Sequence, residues 1–91
     1  MTYRLYIGSN NRTGKVEDKK AIGIIAKQFE GFTVLPMGLG YWQGKQEATL
    51  QVEIETADKK KLIGTVKTLL KALKQDAIGV LAIGKMDFVG I

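Results

Sequence analysis

The chain has no cysteine and no histidine. The first absence removes disulfide staples and thiolate metal sites and permits an intracellular home. The second removes the usual neutral-pH general base and a common transition-metal ligand, leaving carboxylates, lysines and tyrosines for any chemistry. An enzyme therefore ranks third among the function classes. Proline occurs once, at Pro36, and no proline-rich linker divides the chain. Long apolar runs are also missing, none approaching the roughly 20 residues that span a bilayer. The start MTYRLYIG lacks the basic region, apolar stretch and cleavage site of a secretory signal. The expectation is a cytoplasmic protein with no membrane partner, no cofactor and no bound metal.

What is present is 91 residues, 45% hydrophobic and 25% charged. That suits one globular domain spanning residues 1–91. Net charge is +5, from 14 basic and 9 acidic side chains, which favours solubility and a loose attraction to polyanions.

Tyr3, Leu5 and Ile7 alternate with Arg4 and Tyr6 as in a half-buried strand. Gly8 to Lys15 supplies only turn formers and reads as a loop. From about Glu17 the period lengthens: Ala21, Ile22, Ile24, Ile25 and Phe29 share a helical stripe, with a stop at Gly31. Phe32 to Leu35 enters a strand that continues through Met37 and Leu39 to Trp42, with Pro36 where an edge strand tolerates it. In Ala48–Thr56 the pattern is clearest, with Leu50, Val52 and Ile54 facing inward and Thr49, Gln51, Glu53 and Glu55 outward. Asp58 can cap a second helix whose stripe is Leu62, Ile63, Val66, Leu69, Leu70 and Leu73. Ala77–Ile83 reads as a doubly covered strand, and Lys85–Val89 as a short terminal one.

The order β-α-β-β-α-β predicts an α+β ferredoxin-like sandwich, one antiparallel sheet with two helices on one face. A hairpin turning on Gln43-Gly44-Lys45 sets Trp42 against Gln46, Val34 against Ile54 and Leu35 against Glu53. In that register Leu35, Met37, Leu39 and Tyr41 lie on the face away from the helices, beside Arg4, Tyr6, Gln51 and Glu53. Such an apolar patch marks a partner surface, which predicts a homo-oligomer packed through the open face. The competing reading is that the segment from Lys85 to Ile91 covers these side chains.

Tyr41-Trp42-Gln43-Gly44-Lys45-Gln46-Glu47, followed by Leu50 to Thr56, resembles the central hairpin of the CutA-like proteins. Arg4 to Gly8 and Gly31 to Val34 are similar to phrases of the wider PII-like superfamily. Gly31 to Leu35, Gly40 to Gly44, Val52 to Ile54 and Lys74 to Ala77 also look like a family of small bacterial and phage proteins of unassigned function. The resemblance implies a ferredoxin-like fold and a trimer. It does not carry over the functional residues: the hairpin is too short for the PII signalling loop, and the cysteine and histidine of CutA metal binding are missing. Gly79 and Gly84-Lys85 are similar to the segment with which PII proteins hold nucleotide phosphate, which makes Lys85 a candidate phosphate contact.

Gly38, Gly40 and Gly44 are not a phosphate loop, because no helix follows to offer its amino end. They read as strand-bending and turn glycines. Tyr41 and Trp42 could stack on bases, but the aromatic central-strand phrase of an RNA-recognition motif is absent, and an interface role is preferred. Arg4, Tyr6 and Glu53 read as an interface hydrogen-bonding set. Glu53 and Glu55 have no cleft in which to act as an acid–base pair. Lys60, Lys67, Lys71 and Lys74 recur at helical spacing, and Lys19, Lys20 and Lys27 extend the basic surface. Read against a solvated face of ordinary lysines, this stripe is the main argument for nucleic acid.

The leading expectation is a non-catalytic oligomeric module of the PII/CutA-like kind, binding a small ligand or a protein. The alternative is a small basic nucleic-acid-associated or phage accessory protein that binds or blocks a nucleic-acid-processing enzyme.

Overall fold

The computed structural model describes residues 1–10, 14–82 and 85–90, with Trp42 and residues 85–88 described by backbone alone. Three expectations therefore fall partly outside the described residues: the middle of the Gly8–Lys15 loop (Asn11, Arg12, Thr13), Ile83 and Gly84 beyond the apolar strand, and the cover by Lys85 to Ile91, of which Ile91 and the side chains of residues 85–88 are not described. The elements are β1 (Thr2–Ile7), α1 (Asp18–Ala26), β2 (Thr33–Val34), β3 (Gly38–Trp42), β4 (Lys45–Glu55), α2 (Lys59–Leu73), β5 (Ala77–Ala82) and β6 (Lys85–Gly90). They form an α+β fold, two helices packed on a six-stranded antiparallel sheet.

The sheet runs β2-β4-β1-β5-β6, with β3 also on β4. β1 is central, antiparallel to β4 (Leu5 opposite Val52) and to β5 (Leu5 opposite Val80). Strand alternation sends Tyr3, Leu5, Ile7, Leu50, Val52, Ile54, Ile78 and Val80 to one face, and all join one core with both helices. Each large aliphatic side chain buried there is worth about 1.5–3 kcal/mol.

α2 forms as its 3.6-residue stripe dictates, with Leu62, Val66, Leu69, Leu70 and Leu73 buried. The Lys61 amide donates to Asp58 Oδ1 at 2.9 Å, closing the start. The helix ends at Lys74, left-handed at φ 54°, whose N–H turns back to the last carbonyls. α1 is shorter than its sequence suggests: Gln28 N–H donates to Ile25 O, a tightened final turn, and the helix closes at Ala26 instead of Gly31. Phe29 still reaches the core, one turn beyond Ile25 as Ile25 is beyond Ala21.

The hairpin register differs from expectation. The turn has two residues, Gln43 (φ 51°) and Gly44 (φ 77°), the paired left-handed conformation of a tight β-hairpin. Trp42 therefore faces Lys45, Tyr41 faces Gln46 and Leu39 faces Ala48. Further out Val34 faces Val52, not Ile54, and Leu35 N–H donates to Gln51 O. Between Val34 and Gly38 the chain spends one residue more than β4 spends between Val52 and Thr49. The extra residue falls around Pro36, which cannot donate to the ladder. This interruption splits the expected single strand into β2 and β3 and reverses the facing of everything beyond it.

Candidate functional site: the uncovered sheet face

Because both helices feed the same core, they leave the opposite face of the sheet to Thr2, Arg4 and Tyr6 of β1, the odd-numbered residues of β4, and Gly79 and Leu81 of β5. At its centre Arg4 lies between Glu53 and Leu81, and Tyr6 between Gln51 and Gly79. Arg4 Nε donates to Glu53 Oε2 at 2.9 Å, and Nη2 bonds the same oxygen. Glu53, then Tyr6, raises the guanidinium pKa above its ordinary value. Arg4 is thus a fixed cation, already matched within its own chain. A second pair stands at the rim, where the Met1 amine donates to Glu55 Oε1 at 2.7 Å and Thr2 Oγ1 donates to Oε2. These two donors hold the Glu55 carboxyl below the usual carboxylate range.

The glycines of β3 serve this face. A Cβ on Gly38 would stand 2.7 Å from Gln51 Nε2, and one on Gly40 would collide with Thr49 Oγ1. Bare backbone at both positions lets Gln51 and Thr49 lie flat across the neighbouring strand. Leu39 and Tyr41 consequently occupy the other surface of the ribbon, beyond the helices, and are 71% and 73% exposed.

The expected patch of Leu35, Met37, Leu39 and Tyr41 is therefore not one surface. Leu35 is half-buried beside Gln51, Met37 is exposed in the interruption, and Leu39 and Tyr41 face the opposite way. Arg4, Tyr6, Gln51 and Glu53 do come together. Trp42 pairs with Lys45 and Lys85 with Ala82; their side chains lie outside what is described. Lys60, Lys67, Lys71 and Lys74 stand exposed on or just beyond α2, away from this face.

A polar cluster at the end of β1 carried no periodic signal in the sequence. Ser9 Oγ donates to Glu47 Oε2 at 2.6 Å, tying the hairpin to the sheet. Buried Gln75 donates to the carbonyls of Gly8 (3.3 Å) and Ser9 (2.6 Å). A lone glutamine after a helix end is the only hint of it.

Among the described residues no cluster of three or more acidic, cysteine or histidine side chains could hold a metal ion. Nor is any of their helices long and apolar enough to cross a membrane. Comparison with known protein families, with curated proteins and with solved structures finds no match.

Proposed function

We propose that this protein is a non-catalytic homo-oligomeric module, binding a small ligand or a protein, with ferredoxin-like connectivity and of the PII/CutA-like kind. The connectivity is supported by the position of β1 between β4 and β5, with the broken β2–β3 strand beyond β4 and β6 added outside β5. The resemblance of the Tyr41–Glu47 hairpin to CutA-like proteins favours a trimer.

One observation carries the oligomer. Of the five exposed large apolar side chains among the described residues, Val34, Met37, Leu39 and Tyr41 fall within one short segment, with Leu39 and Tyr41 on the ribbon surface opposite the uncovered face. Concentrated exposure of this kind is a subunit surface in the making, whereas scattered exposure would call for no explanation. Arg4 and Glu53 neutralise each other on the uncovered sheet face, so a second subunit that grips the β3 ribbon can extend across that face without stranding a charge.

Light scattering coupled to size exclusion at micromolar concentration tests this reading. A trimer that Leu39→Glu/Tyr41→Glu converts to monomer is expected, together with a ligand-induced rise in Tm across a nucleotide and metabolite panel. A monomer with no thermal shift would refute it.

A further inference from the structure

We propose that the phosphate backbone of a nucleic acid binds the groove between α1 and α2, around Gly64, independently of the subunit surface at the β3 ribbon. The groove measures about 330 Å³, with Ile24 and Lys27 on one side and Lys61, Gly64, Thr65 and Thr68 on the other.

Three observations converge there. α2 carries Lys59, Lys60, Lys61, Lys67 and Lys71 and no acidic residue, so one helix holds as many positive charges as the whole chain has in net excess. Three of these lysines crowd the first turn, at the positive end of the helix dipole, where cations weaken a helix. α1 opens the same way, Lys19 and Lys20 following Asp18 as Lys59 to Lys61 follow the capping Asp58. The capping aspartate offsets part of that cost, and the three lysines stand exposed, where they can meet an anion.

Gly64 is the second observation. It sits inside α2, where glycine is the poorest choice after proline. A Cβ at this position would meet nothing within 4 Å, and its φ is not in the left-handed range. Neither packing nor backbone conformation requires the glycine. Its neighbours three and four residues along the helix are Lys60, Lys61, Lys67 and Thr68. A missing side chain at the centre of three lysines leaves a notch through which a phosphate reaches them together.

The third is continuity. Lys27 and Lys61 stand on opposite sides of the groove, and Lys60, Lys67 and Lys71 continue along the exposed back of α2. A row of that length suits a chain of phosphates better than a single anion. Among the described residues no aromatic side chain lines the groove, so recognition follows the backbone and not the base sequence.

Fluorescence polarisation with a labelled single strand of about 12 nucleotides and with the matching duplex tests the site. Three or four phosphate contacts on the single strand imply an affinity loss of roughly 20- to 50-fold between 50 and 200 mM salt. Lys60→Glu/Lys67→Glu should bind at least tenfold more weakly, and Lys60→Gln/Lys67→Gln should lose part of that. Lys60→Arg/Lys67→Arg should bind as the parent does. Lys45→Glu, at the hairpin turn, serves as the charge control and should lose little. Gly64→Leu is the sharpest test: filling the notch should weaken binding at least tenfold while Tm holds or rises, because leucine favours the helix. The proposal is overturned if neither oligonucleotide binds at 50 mM salt, if Lys45→Glu costs as much as the α2 pair, or if Gly64→Leu binds normally. Binding to anionic vesicles without binding to either oligonucleotide would also overturn it, in favour of a lipid surface.

Discussion

The two halves of β4 share one strand and the same alternation but lead different lives. From Leu50 to Glu55 the strand is paired with β1, and from Val52 also with β2. Its apolar residues there lie under both helices at 0–2% exposure. From Lys45 to Thr49 its pairing is with β3 alone, and the apolar side chains beside it, Leu39 and Tyr41, stand in solvent. Alternation gives a strand two faces; whether either is buried depends on the layer above it. A two-stranded ribbon without such a layer is marginal in water. This one is held by its two-residue turn and by the Ser9–Glu47 bond at its base.

The widest break between the halves should come from truncating an apolar side chain in each. Ile54→Ala is expected to lower unfolding free energy by about 2–5 kcal/mol in urea titration. Leu39→Ala, measured at concentrations where the protein is monomeric, should change it by no more than about 0.5 kcal/mol. Equal losses would show that the ribbon belongs to the core after all. Gln75→Leu should have an intermediate effect, since it strands the Gly8 and Ser9 carbonyls at the junction of the two halves. A cost of about 1–3 kcal/mol is expected, and a variant as stable as the parent would remove that junction from the account.

The smallest effect is electrostatic, at the far end of β4. Glu55 has a folded-state pKa below its unfolded one. Its stabilising contribution is therefore present above the unfolded pKa and lost as pH falls through the folded one. The acid limb of a stability–pH profile should flatten slightly in Glu55→Gln, and an unchanged limb would show that this exposed pair contributes nothing measurable.

Long periodic segments were legible in the sequence. The α2 stripe, the Asp58 cap and the inward triad Leu50, Val52 and Ile54 each follow from spacing that a single helix or strand satisfies by itself. The grouping of Arg4, Tyr6, Gln51 and Glu53 followed from alternation on two long strands, even though the hairpin register was one residue out at the turn and two residues out beyond Pro36. That register was not legible, because Gln43-Gly44-Lys45 fits a two- or a three-residue turn, and the choice depends on where Pro36 forces a bulge. The early close of α1 reflects tertiary placement of Phe29, which a helical stripe through the same residue disguises. Gln75, Ser9 and Glu47 meet from three distant segments, and no local pattern announces a bond of that kind. Gly64 was visible as a glycine in a helix, but its significance needed the empty space around it.

The central position of β1 also shapes how the chain assembles. Ile7 waits for Leu50, and Tyr3 for Ala82. During synthesis the strand that ends up in the middle of the sheet is made early, yet it has no ladder on either side until far later segments exist. Its apolar face, Leu5 above all, stays available to wrong partners throughout that interval. Closing such long loops is paid in chain entropy before the pairing returns anything, which sets this small domain among slower folders than its two well-formed helices would suggest.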